Sequence, residues 1–168
     1  MQDITMSTDQ GIDRRKEYLT FSLGHEQYGV DILKVQEIRG WEPLRKMPDV
    51  PDYFKGVMDF RGRILPVIDL RIRFEIQDIE YKSTTVIIVL STSDDNYMMG
   101  VVVDAVSDVL SVSQGDIKSA PEMGSNIKTD YVIGMVTREE GMIMLVDTEL
   151  LVNREEIEVK GIEKSNHD

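Results

Sequence analysis

The chain holds two histidines, His25 and His167, and no cysteine. His25 stands in the turn-like stretch Gly24-His25-Glu26 and His167 in a polar terminus, so neither has a nucleophile and an orienting carboxylate at hand to build a catalytic triad. Without thiols, disulfides, thiolate zinc sites and cysteine nucleophiles are excluded. The carboxylate pairs Asp94-Asp95 and Glu139-Glu140 lack the spaced oxygen ligands and fixed glycine of a calcium loop, and read as solvated turn charges. Neither a Gly-x-x-x-x-Gly-Lys-Ser/Thr loop nor a Gly-x-Gly-x-x-Gly turn after a strand occurs, which removes the usual phosphate cradles. These patterns point away from an enzyme and imply no cofactor and no structural metal.

The residues that stand out belong to the backbone and to contact surfaces. Gly62, in Asp59-Phe60-Arg61-Gly62-Arg63, falls between two apolar runs where a tight hairpin needs a positive φ. Turn geometry does not explain Arg61. A guanidinium held at a hairpin tip presents a rigid fork of donors to a partner's carboxylate or carbonyl. Charge points the same way: from Lys34 to Arg73 nine basic residues face six acidic ones, a local +3 within a net charge of −12. A basic island in an acidic protein suits an acidic partner, or is simply a solvated face of mixed charge. The overall negative charge argues against general binding to nucleic acid or an anionic membrane.

The elements that must carry these residues are mostly strands. Leu19, Phe21 and Leu23 alternate with Tyr18, Thr20 and Ser22, the period-2 signal. Further β-rich runs follow at Val30 to Ile38, Val57 to Phe60, Ile64 to Ile68, Thr84 to Leu90, Met98 to Val103, Val106 to Val112 and Met142 to Val146. Glycine, proline and Ser-Asp-Asp-Asn stretches punctuate them, a spacing that suits barrels or a sandwich. Helix is expected only near Leu70 to Phe74 and from Thr148 to about Arg154. Residues 1–16 and 154–168 are polar or charged and read as loose tails. Met98, Met99, Met142 and Met144 sit at strand positions as core filler. No run approaches a membrane span and the N-terminus has no signal-peptide core, so a cytoplasmic protein without membrane insertion is expected.

An internal repeat underlies the pattern. Gly29 to Ile38 aligns without gaps on Gly100 to Val109, matching glycine, two valines, and Glu37 with Asp108. Gly56 to Asp69 aligns in the same way on Gly134 to Asp147, with glycine and aspartate coincident at the two ends. Two pairs in the same order imply two similar β-subdomains related by a pseudo-twofold axis.

The runs Tyr28 to Ile38, Gly56 to Leu70, Gly100 to Leu110 and Ile143 to Asp147 closely resemble the CheW family of chemotaxis coupling proteins, over residues 17–153 and in order. The family usually carries Asn-Leu-Arg-Gly at the central hairpin; here Asp59-Phe60 replace the first two residues and Arg61-Gly62 are kept. The resemblance implies a mainly β fold of two intertwined SH3-like five-stranded barrels with a short C-terminal helix. It implies a non-catalytic adaptor that binds chemoreceptor cytoplasmic tips and the regulatory domain of the histidine kinase CheA. Such a protein would be a monomer alone and form rings with the kinase at membrane-associated receptor arrays. Carried over, the receptor-facing set is Val35, Glu37, Ile38, Arg61, Gly62 and Val106, where core packing is the competing explanation for Val35, Ile38 and Val106. The kinase-facing positions are Gln27 and Tyr28 with the exposed edge beside them, and Met123. A coupling protein of a non-flagellar chemosensory pathway and a small-ligand-binding β-barrel are the alternatives; the latter suits the acidic charge and eleven aromatic residues less well.

Overall fold

The computed structural model describes residues 15–92, 97–119, 131–139 and 141–151. The strands are β1 (Arg15–Leu23), β2 (Glu26–Asp31), β3 (Val35–Gly40), β4 (Phe54–Phe60), β5 (Arg63–Asp69), β6 (Val86–Ser91), β7 (Met98–Val103), β8 (Ala105–Ser113), β9 (Val132–Arg138) and β10 (Gly141–Val146). Short helices α1 (Leu70–Arg73) and α2 (Thr148–Leu151) follow β5 and β10, and a 3-10 turn spans Ile32–Lys34. The strands form two five-stranded sheets, in the orders β8-β1-β2-β10-β9 and β3-β6-β7-β5-β4. Exchanging each strand for its counterpart in the other half of the chain converts one order into the other. The repeat is thus a pseudo-twofold, and each sheet draws strands from both halves.

The register agrees residue by residue. Gly29 of β2 faces Leu145 of the parallel strand β10, and its counterpart Gly100 of β7 faces Val67 of the parallel strand β5. Beyond each outer strand the chain returns to the far edge of its own sheet: Arg45 bridges Val57 of β4, and Lys118 bridges Met135 of β9. Those bridges curl both sheets into barrels, leaving few free edges. One barrel encloses Met58, Phe60, Leu65, Val67, Ile87, Val89 and Val102, the other Tyr18, Val112, Val136 and Leu145. Between the barrels lies a larger core that includes Leu19, Phe21, Leu23, Tyr28, Ile88, Leu90, Val101 and Val146.

Three readings of the sequence change here. Tyr18 and Thr20 are buried as deeply as Leu19 and Phe21, because one face of β1 lines a barrel and the other faces the shared core. The run Val30 to Ile38 is two strands: the Asp31 carboxylate accepts the Leu33 N–H at 2.9 Å and caps the 3-10 turn that bends the chain out of one sheet and into the other. Asp69 and Asp147 cap α1 and α2 in the same way, accepting the N–H of Arg71 at 3.0 Å and of Glu149 at 2.8 Å. Arg15 and Lys16 belong to β1 and pair with Ser113 and Val112 rather than to the N-terminal tail.

Candidate interaction site

β3 and β8 are outer strands of their sheets, and each carries a one-residue bulge. In β3, Val35 and Glu37 face Leu90 and Val89 of β6, leaving Gln36 extra. In β8, Val106 and Asp108 face Phe21 and Thr20 of β1, leaving Ser107 extra. A bulge resets the alternation of a strand and re-aims the side chains beyond it. Here it puts Ile38 on the same face as Val35, since they oppose Ile88 and Leu90, two apart on β6 and both in the inter-barrel core. Val35 and Val106 are half-buried against that core. Ile38, one step outward, is 43% exposed. Val35 and Val106 therefore pack against the inter-barrel core, and Ile38 carries that apolar face out to the surface.

The hairpin that carries Arg61 stands beside this strand. Arg61 and Gly62 both have positive φ, 54° and 83°, in the two-residue turn joining Phe60 to its partner Arg63. That is the conformation whose twist suits a tight hairpin. The Asp59 carboxylate accepts the Gly62 N–H at 3.0 Å, so the aspartate closes the turn from within. Arg61 lies exposed over the ring of Phe60, with 4.6 Å from the guanidinium carbon to the ring centroid. Glu37 pairs with Arg39 at 2.6 Å, and Arg39 also reaches the Asp59 carbonyl at 3.5 Å. These contacts tie Glu37 and Arg39 of β3 to the hairpin that carries Arg61 and Gly62, whereas Ile38 lies on the opposite face of β3, towards the inter-barrel core.

The expected kinase-facing residues fare differently. β2 is not an edge but the middle strand of its sheet, hydrogen-bonded to β1 and β10. Tyr28 is 3% exposed, stacked at 5.9 Å on Phe21 and edge-on to Phe74, so its side chain offers no contact surface. Burial, with a smaller contribution from Glu26, pushes its hydroxyl pKa up to about 12. Gln27 is half-buried, its amide oxygen accepting from the Ser107 hydroxyl at 3.4 Å. Met123 lies outside the described residues.

A buried polar network escaped the sequence reading. Arg71, counted there in the basic island, is fully buried. It binds Asp69 through two N–H groups at 2.8 and 2.9 Å, Asp104 at 2.8 Å and the Glu80 carbonyl at 2.7 Å. The Tyr81 hydroxyl donates to Asp69 at 2.6 Å, and the other Asp104 oxygen accepts the Gly24 N–H at 2.7 Å. Burial pulls the Arg71 pKa down, but the bonds and charges of Asp69 and Asp104 outweigh it and leave the pKa raised. The spacing of Asp69 and Arg71, a cap and the second residue of its helix, was the available signal. A cleft of about 950 Å³ opens beside this network, between the β1–β2 turn and residues 76–85. Its Asp104 carboxylate is already engaged at both oxygens.

Among the residues singled out, Ile38 is an exposed apolar side chain and Arg61 an exposed guanidinium on a tight turn. A family model described as CheW-like domain matches residues 17–156. The chain is 44% identical over 163 residues to the chemotaxis protein CheW of Klebsiella aerogenes, covering 96% of this chain and 97% of that one. It is 36% identical over 143 residues to the probable chemotaxis protein CheW of Rhizobium etli, covering 85% and 91%. Its fold is similar to the crystal structure of the scaffolding protein TtCheW from Thermoanaerobacter tengcongensis, with a TM-score of 0.72, 32% identity, and 79% of this chain and 89% of that chain covered. The chain belongs to the CheW-like domain family of chemotaxis scaffolding proteins.

Proposed function

We propose that this protein couples chemoreceptors to the histidine kinase CheA without catalysing a reaction itself, and that the seam between its barrels receives the receptor tip. What supports this reading is a set of apolar positions facing the inter-barrel core and one cation: Val35 and Val106 pack against that core, Ile38 is exposed on the same face as Val35, and Arg61 is held exposed on a tight turn. Apolar burial supplies most of the affinity, while the guanidinium fixes where along the receptor helix the contact forms. Because the strands flanking the seam are tied into closed barrels, a receptor that shifts moves a rigid body, and a kinase domain bound elsewhere on that body feels the displacement. Contacts in the micromolar range suffice, since arrays multiply them by avidity.

No helix among the described residues is long and apolar enough to cross a membrane. In this reading the protein is cytoplasmic and reaches receptor arrays through its partners. The kinase-facing surface excludes the Tyr28 side chain and retains Gln27 and the segment around Met123. The test is to titrate the protein with a receptor-tip fragment and, separately, with the CheA regulatory domain. Both should bind with Kd on the order of micromolar. A protein that binds neither is not a coupling protein of this kind.

A further inference from the structure

The cleft beside the Arg71 network is lined by none of the positions assigned to the receptor, nor by Gln27. Its two walls belong to different sheets: the β1–β2 turn from Gly24 to Glu26 forms one, and residues 76–85, which follow α1, form the other. The base is already set. Arg71 donates to one Asp104 oxygen at 2.8 Å and the Gly24 N–H to the other at 2.7 Å, while the Ile76 N–H donates to the Arg71 carbonyl at 2.8 Å. One chain of bonds therefore ties the turn to the start of the opposite wall. A cleft held by such bonds is preformed, and its volume of about 950 Å³ lies at the upper end of the about 300–1,000 Å³ usual for ligand sites. Leu23 and Phe74 are buried at the bottom, and Ile76 and Ile79 are half-buried on the wall above. Glu26 on one wall and Asp78 on the other are exposed, and neither makes an ion pair among the described residues. Glu80 and Lys82 pair at 3.7 Å on the open surface, a contact that a partner can displace at little cost.

We propose that this cleft docks a basic segment of a partner protein, one in which a lysine or arginine stands beside an apolar side chain. Glu26 and Asp78 take the cation, and the apolar neighbour packs on Ile76 and Ile79. A compact free amine would satisfy the carboxylates but leave the isoleucines and most of the volume unfilled, which favours a chain segment as the occupant. The net charge of −12 draws such a segment in, and the fixed base orients it. The site is independent of the receptor and kinase surfaces proposed above, so a third protein can be held while both of those are engaged.

The probe is a fluorescein-labelled peptide, Ala-Leu-Arg-Ala-Ile-Lys-Ala, titrated with the full chain and read by fluorescence anisotropy; the same peptide with glutamate in place of arginine and lysine is the blank. The wild-type chain should bind the first and not the second. Glu26→Gln combined with Asp78→Asn should weaken binding at least tenfold, and asparagine accepts the φ of 57° that Asp78 adopts. Ile79→Ser should weaken it at least threefold. A control, Glu17→Gln combined with Glu139→Gln, removes the same charge at exposed positions outside the cleft and should bind as wild type does. Melting temperature, receptor-fragment affinity and kinase-domain affinity should hold throughout. Equal loss in the control and cleft variants would reduce the effect to bulk charge and overturn the inference. Full affinity in the cleft variant, no binding by the wild-type chain, or complete displacement of the peptide by an equal concentration of putrescine would overturn it too. Loss of kinase-domain affinity in the cleft variant would make the cleft part of the kinase surface, which ends its separate role and leaves the coupling reading standing.

Discussion

Arg61 adopts a backbone conformation that the hairpin needs and its own side chain resists. A β-carbon in the left-handed region costs about 1 kcal/mol, which asparagine tolerates better than arginine. Arg61→Asn should therefore leave stability unchanged or raise it by up to about 1 kcal/mol in urea unfolding, while receptor-fragment affinity drops about tenfold through loss of a charge-assisted bond. A sharp fall in melting temperature with affinity intact would make Arg61 a structural residue. Arg71 should behave in the opposite way. Removing one member of its buried pair, as in Asp69→Asn or Arg71→Met, strands the other charge and should cost about 3–5 kcal/mol; a loss under about 1 kcal/mol would show that water enters the network. Tyr28 and Tyr81 add a pH dependence. Burial raises Tyr28 to about 12 and, with the Asp69 hydrogen bond, raises Tyr81 as well. The unfolded state thus ionises first, near pH 10, so stability is complete below that and is lost as pH climbs from about 10 towards 12. Tyr28→Phe should flatten part of that loss in melting curves taken between about pH 9 and 11.5, and an unchanged slope would place the linkage in other groups. Of these residues, the exposed hairpin-tip position of Arg61 was legible from the turn around Gly62. Tyr28 was carried over from the resemblance with an exposed edge beside it, whereas its strand is paired on both sides and its side chain is buried.

Among the elements, the repeat makes matched comparisons possible. Gly56 and Gly134 occupy equivalent places facing the bridge that closes each barrel, but the obstacles differ. A β-carbon at Gly56 would lie 2.4 Å from the Arg45 carbonyl oxygen, with φ at 144°; at Gly134 it would meet Ile117 Cγ2 at 2.5 Å, a side-chain atom that can move, and the Lys118 carbonyl at 3.2 Å. Gly134→Ala should cost about 1–3 kcal/mol of overpacking, and Gly56→Ala more than about 3 kcal/mol because backbone must yield. Equal costs by chemical denaturation would mean that the Arg45 bridge is soft. Strand positions were largely readable from period and punctuation. The break inside Val30 to Ile38 was not, since Ile32 and Leu33 continue the apolar run while Asp31 bends it by capping, a role that a single carboxylate in a strand-like stretch does not advertise. β9, missing from the periodic runs, was implied only by its repeat partner β4.

At the scale of the molecule, the two ungapped repeats revealed the pseudo-twofold but not the exchange of strands across it. Similarity between Gly29 and Gly100 says that both have the same kind of neighbour, not which copy provides it. In the folded chain each of these two strands pairs with one from the opposite half. Fragments 1–80 and 81–168 then contain five strands each and no complete sheet, so neither should fold alone. Mixed, they should regain the β signal in circular dichroism, and the intact chain should unfold in one transition. Two separate transitions would mean that the barrels are energetically independent.

The strand orders also set a timetable for synthesis. The sheet built from β3 to β7 is contiguous in the chain and can close once Val103 has left the ribosome. The sheet begun by β1 and β2 cannot close until Val146, when β8, β9 and β10 have emerged. At about 5–20 residues per second, the first strands made wait seconds beside a finished neighbour with their edges unpaired. This chain therefore matures from its middle outwards, and its amino-terminal hairpin, translated first, is among the last pieces to become native and the one most in need of shelter while it waits.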